Sequence, residues 1–242
     1  FFFKQKTAYE IKECDWSSDV CSSDLQAQLD WLKRQLGAAR KAGVAWQALG
    51  QQVVMAKVQG PDVVKASGRE AVDRGLAGIT DGRRKRGESQ LKAAALGLPF
   101  NLDAWDGYPA ERERLYGVLK GQGPTVVLSG DVHCAWANEL HDAEGRRAAV
   151  EFVGSAISSP RPSFSTLVPG APIDQIVVDQ NPDVAWMESE PRGYVKVAFT
   201  RGAATAEFVG VSTVMAKPYG TSVRRRFTVR PEGAGVGGLA AT

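Results

Sequence analysis

Apolar positions in this chain follow two periods in succession, a helical one near the start and an alternating one towards the end. Leu29, Leu32 and Leu36 recur at i, i+3 and i+7, the stripe of an amphipathic helix over Gln26–Leu36. Ala45 to Met55 reads as a buried strand carrying Trp46, Leu49, Val53, Val54 and Met55, interrupted at Gly50-Gln51-Gln52. From Gly60 to Leu98 the chain is rich in Gly, Lys and Arg and keeps no period. It predicts a long excursion with one short helix near Ser89–Leu96, and loops of that length in compact domains are commonly functional or disordered. Asn101–Pro109 is turn-rich and aromatic, after which Pro109 and Glu111 favour a helix start. That helix is expected to reach about Lys120, with Leu115, Val118 and Leu119 inward and Gly121 as its stop. Thr125–Leu128 is a short apolar, β-rich run suited to a strand buried on both faces. It leads directly into Ser129-Gly130-Asp131-Val132-His133.

Past this point the pattern shortens. Ala135–Leu140, Ala149–Val153, Tyr194–Thr200, Ala204–Val211 and Arg225–Val229 read as short strands between Gly, Pro and Asp clusters. Pro231–Thr242 is Gly- and Ala-rich and is expected to be a flexible tail. Helix and strand first, then consecutive strands, give an α/β layered domain with antiparallel additions.

Composition changes this picture little. The 242 residues are 43% hydrophobic and 24% charged, ordinary for a soluble globular chain, and no apolar stretch has spanning length. The net charge of +3 does not argue for nucleic acid. Arg83-Arg84-Lys85-Arg86 and Arg224-Arg225-Arg226 read as solvated loops or strand ends rather than a phosphate-attracting surface.

The opening FFFKQKTAYEIKECDWSSDVCSSDL, Phe1 to Leu25, has no regular period and lacks the apolar core of a secretory signal. It resembles a translated sequencing adapter. Residues 1–25 are therefore read as a non-native leader, and the authentic polypeptide is expected to begin upstream. The leader carries a net charge of −2 and two of the three cysteines, Cys14 and Cys21. Only Cys134 remains, which excludes an intramolecular disulfide in the rest and says nothing of compartment.

The candidate chemistry lies at the end of the Thr125 strand. In extended backbone Asp131 and His133 point to one side, and Gly130 permits a tight turn. A carboxylate with an imidazole suits iron, zinc or manganese, at the strand end where α/β sheets place ligands. On spacing alone, a capped turn with a hydrogen-bonded core histidine is the simpler reading. His141 reads as part of an exposed hairpin loop, Trp136 and Trp186 as core or wall, and Arg192, which could reach a phosphate, more readily as a surface salt-bridge residue. Two readings stay open for Trp105, Asp106 and Tyr108: a pocket wall or outer support for ligands, or an aromatic turn under the next helix.

Several segments, in order, resemble the PhoD-like alkaline phosphatases of the calcineurin-like metallophosphoesterase superfamily. They are QLDWLKRQL, WQALGQQVVM, LDAWDGYPAERERL, VVLSGDVHCAWANEL, EFVGSAISSP and NPDVAWMESEPRGYVKVAFT. The resemblance implies the family's α/β sandwich, incomplete here, with residues 26–230 as the C-terminal part of the domain. It implies metal-dependent hydrolysis of phosphate mono- or diesters, with Asp131 and His133 as metal ligands and iron and calcium as the metals. It also implies a small phosphoester substrate and a periplasmic or secreted parent protein. The family's remaining ligand motifs, a Cys, an Asp-Tyr pair and an Asp/Asn group, are absent, and Cys134 is not at the ligand-cysteine position. The chain as given is therefore expected to be inactive. A nucleotide or nucleic-acid phosphodiesterase and a non-catalytic β-rich module are the rival readings.

Overall fold

The computed structural model describes residues 2–3, 20–77, 79–160 and 171–242. A six-stranded sheet forms the middle of the molecule in the order β1-β2-β3-β5-β4-β6. Its strands are β1 (Phe2–Phe3), β2 (Gln47–Gln51), β3 (Thr125–Ser129), β4 (Ala135–His141), β5 (Arg147–Val153) and β6 (Val184–Glu188). Strands β1, β2, β3 and β5 run parallel, while β4 is antiparallel to both its neighbours.

Alternation along these strands gives the sheet two apolar faces, because successive side chains point to opposite sides. Leu49, Val127, Trp136, Leu140, Ala149 and Val153 belong to one cluster. It also holds Leu29, Leu32 and Leu36 of α1 (Val20–Lys41) and Leu115, Tyr116 and Leu119 of α5 (Pro109–Leu119). Val126, Ala135, Ala137, Val150 and Phe152 belong to a second cluster, shared with a four-stranded antiparallel sheet. That sheet comprises β7 (Gly193–Phe199), β8 (Ala204–Val211), β9 (Thr221–Val229) and β12 (Ala240–Ala241). Phe208 is its centre, edge-on to Phe152 and Phe227 and 4.7 Å from the Trp186 ring. Each such buried aromatic contributes about 1.5–3 kcal/mol by leaving water. The result is a mixed α/β sandwich of helices, central sheet and outer sheet.

The central strand, the Pro109 helix and the later strands lie where the pattern put them, to within a few residues. Four regions differ. Residues 60–98 are helical, not a loop with one helix: α2 (Val63–Ser67), α3 (Arg69–Ala77) and α4 (Asp81–Ala95) fill them. Val63, Val72, Leu76 and Leu91 reach the core, so a few anchors suffice where no continuous stripe exists. Further along, the chain forms α6 (Ile173–Gln180) and then β6, neither of them anticipated.

The tail expected to be flexible is instead docked. Pro231–Glu232 (β10) pairs with Gly235–Val236 (β11), β12 pairs with β9, and the Leu239 N–H donates to Glu139 at 2.7 Å. Tertiary partners, invisible in a Gly- and Ala-rich composition, hold it. Parts of the opening segment also lie in regular structure: Phe2 and Phe3 run beside Gly50 and Gln51, and α1 begins at Val20. Cys14 and the rest of residues 4–19 lie outside the described residues.

Candidate functional site

Strand β3 fixes where the Gly-Asp-Val-His segment begins. The Ser129 carbonyl accepts from the Gly154 N–H at 2.9 Å, and its hydroxyl donates to Glu151 at 2.7 Å. The chain then leaves extended geometry, contrary to the expectation of an Asp and His aligned along a strand. Asp131 and His133 both adopt left-handed backbone, with φ of 70° and 61°. Gly130 does not supply the turn; the two candidate ligands carry the unfavourable conformation themselves. Such residues cost of order 1–3 kcal/mol each and persist only where the surroundings enforce them.

The surroundings do enforce them. Val132 N–H donates to the Gly130 carbonyl at 2.9 Å. Arg192, 7% exposed, donates to the His133 carbonyl at 2.6 Å and to the carbonyls of Ser189 and Glu190 at 2.9 and 3.1 Å. It is buried against the candidate segment, not on the surface as expected. Cys134 is fully buried, and the Trp136 indole N–H donates to its sulfur at 2.9 Å. Burial pushes the Cys134 thiol up to about 12, against that indole hydrogen bond. Trp136, read as core or wall, is 1% exposed.

Facing this segment is the chain after β2, whose backbone N–H groups are capped in sequence by side chains from remote elements. Met55 and Ala56 donate to Glu151 at 2.8 and 3.2 Å, and Lys57 to Asp183 at 3.4 Å. Val58 donates to Asp106 at 3.0 Å, Gln59 to Asn181 at 2.7 Å and Asp62 to Gln180 at 2.9 Å. An irregular buried segment must satisfy its polar backbone somehow, and here side chains do so. Glu151 is the node. It has no exposed surface, and it also accepts from Ser129 and from Asn138 at 2.9 Å. Burial pushes its carboxyl above the ordinary value, while these donors pull the other way. A Glu inside the apolar run Ala148–Val153 was the signal by which the sequence could have shown it.

Val53, Val54 and Val58 on one side and Gly130, Asp131 and Val132 on the other line a narrow cleft. Asp106 and Trp136 also line it, so the fold brings Asp106 and Asp131 to one cavity. His133, Trp105 and Tyr108 are not among its lining residues. Trp105 is buried in the core, 2% exposed, within a 3₁₀ turn (Trp105–Gly107). Asp106 pairs with buried Arg112 at 2.5 Å, and burial raises its carboxyl despite that partner. Burial, with the nearby Asp103, also pushes the Tyr108 phenol up. Gly107 is required here, since a Cβ would sit 1.9 Å from the Leu102 carbonyl oxygen.

One other sequence reading changes. His141 ends β4 and is half-buried, its Nδ1 2.9 Å from Asp183, rather than in an exposed hairpin loop. The Arg224–Arg226 run lies on β9: Arg224 pairs with Glu188 and Arg226 with Glu207, while Arg225 stands 5.7 Å from the Phe227 ring centre. Opposing carboxylates and an aromatic face thus already engage this run.

A carboxylate and an imidazole are donor types that iron, zinc or manganese accept, so the chemistry of Asp131 and His133 is compatible with a metal. Among the described residues no group of three or more His, Cys, Asp or Glu side chains is placed to hold an ion.

The family model of PhoD-like phosphatases matches residues 25–208, most of the chain. The chain belongs to the PhoD-like phosphatase family. It is 32% identical over 149 residues to alkaline phosphatase D of Bacillus subtilis (strain 168), a match over 59% of this chain and 25% of that protein. The solved structure of PhoD superposes with a TM-score of 0.60 at 25% identity, covering 89% of this chain and 35% of that one. The chain thus spans about a quarter to a third of the PhoD-like relatives it matches. Gly130–His133 and the cleft lie inside the matched region, and the α/β sandwich is shared with the solved relative. No helix of the described residues is long and apolar enough to cross a membrane.

Proposed function

We propose that this chain supplies the Gly-Asp-Val-His ligand segment of a metal-dependent phosphatase or phosphodiesterase acting on small phosphate mono- or diesters. The observation that carries this reading is the left-handed turn at the end of β3. Within the region matched by the family, the two residues with metal-donor chemistry hold a costly backbone conformation enforced by buried partners. When bound, metal ions supply charge neutralisation on the phosphoryl oxygens and an activated water. Asp131 and His133 are the donors on this chain, and Asp106 shapes the cleft beside them. Iron and calcium are the metals by family resemblance, and a periplasmic or secreted parent fits the same resemblance.

With two donors among the described residues, the chain by itself is inactive in this reading, and residues 26–230 form the C-terminal part of a larger catalytic domain. The paired state of Arg224 and Arg226 lends no support to a nucleic-acid substrate. The test uses the gene product that contains this chain, with aryl phosphate mono- and diesters and metal content measured together. Asp131→Ala and His133→Ala are expected to lose metal and turnover in parallel. Retention of both by either variant refutes the ligand assignment, and turnover by the 242-residue chain alone refutes its inactivity.

A further inference from the structure

We propose that Arg192 is a positioning residue for His133: its buried guanidinium fixes the His133 carbonyl and thereby the direction in which the imidazole is presented. The inference rests on His133 being a metal ligand, as proposed above.

The argument starts from the backbone. His133, with φ of 61°, occupies a region that L-residues with a Cβ disfavour. Left alone, the residue relaxes by rotating its peptide planes, and its carbonyl is the group whose direction that rotation changes. Arg192 Nη1 holds this carbonyl at 2.6 Å. A charged donor makes this the stronger kind of hydrogen bond, and little water is present to compete at 7% exposure.

Arg192 is itself anchored. Nη2 donates to the Ser189 and Glu190 carbonyls, so the fork bridges the exit of β6 to the candidate segment. The Arg192 carbonyl accepts from the Val211 N–H at 2.9 Å, and the next residue must be glycine: a Cβ on Gly193 would meet the Val209 carbonyl oxygen at 1.9 Å. That close approach sets the start of β7 against β8, and with it the root of the Arg192 side chain. The planar guanidinium suits three carbonyls at once, whereas a lysine ammonium on a flexible stem does not present that fork. Outer partners of metal ligands act this way, and their loss typically weakens metal affinity about 10- to 100-fold.

The experiment uses the gene product that contains this chain, with Arg192→Met and Arg192→Lys, and Zn(II) alone as the probe. In the metal-free protein, NMR resonances of residues 131–134 are expected to move in both variants, while hydrogen exchange across β7 and β8 stays as in the parent. On adding Zn(II), the His133 imidazole resonances of the parent shift, and Arg192→Met raises the apparent dissociation constant about 10-fold or more, with Arg192→Lys between. Unchanged 131–134 resonances in a folded Arg192→Met protein, or an equal Zn(II) response, overturn the positioning role. If Arg192→Met fails to fold, Arg192→Lys is read by the same criteria. Absence of any Zn(II) response at His133 in the parent instead refutes the ligand reading, a result distinct from the metal-free comparison.

Discussion

The Ser129 hydroxyl donates to the Glu151 carboxylate at 2.7 Å, tying the last residue of β3 to the centre of β5. Because Glu151 also accepts from Met55 and Ala56, one side chain sets the spacing of both walls of the Asp131 cleft. Glu151→Gln replaces an accepting oxygen by an amide that faces existing donors. A loss of roughly 1–3 kcal/mol follows, since a buried polar group is left mismatched. Thermal unfolding is expected to show it as a drop of about 2–4 °C per kcal/mol for a chain of this size. An unchanged midpoint contradicts the role given to Glu151.

The Asp106–Arg112 pair is buried on both sides, at 9% and 7% side-chain exposure. Arg112→Leu leaves a buried carboxylate uncompensated and is expected to cost about 3–5 kcal/mol. Adding Asp106→Leu recovers part of this, short of full recovery because Val58 N–H loses its acceptor. Urea unfolding of the double-mutant cycle measures the coupling, and additive single effects refute it.

Asp131 is exposed and left-handed, so its side chain contributes little packing while its backbone carries strain. Asp131→Gly removes the Cβ conflict at some cost in unfolded-chain entropy, for a net change of about −1 to +1 kcal/mol. Asp131→Val is destabilising by more, since a β-branched residue is a genuine outlier at that φ. The order Gly above Val in denaturant midpoint tests the strain, and equal midpoints contradict it.

Asp142 has 1% side-chain exposure, and burial by itself raises its carboxyl; Lys120, and Arg146 through backbone and side chain, outweigh this and hold it well below the carboxylate range. A folded value below the unfolded one gives stability that is present above the unfolded pKa and lost as pH falls through the folded pKa. The parent is therefore expected to exceed Asp142→Asn by a constant margin above about pH 5, shrinking below the unfolded value near 3.9. A margin that does not depend on pH refutes the linkage.

Helix α1, strand β3 and the Pro109 helix were legible because each is signalled locally: a leucine stripe, a doubly buried apolar run, a proline at a first turn. The helices at 63–95 were not, since their buried faces are a few residues spread over three short pieces. The candidate segment was legible in its residue types and misread in its geometry. Nothing in Gly-Asp-Val-His says that Asp131 and His133, rather than Gly130, take the left-handed backbone.

The sequence by itself determined the α/β class and the donor types of Asp131 and His133. Only the tertiary structure decided that Glu151, Asp106 and Arg192 hold that segment and the chain facing it. Their partners are backbone groups 48 to 96 residues away, or 59 for Arg192 and His133, and hydrogen bonds between such distant positions leave no periodic trace in the chain.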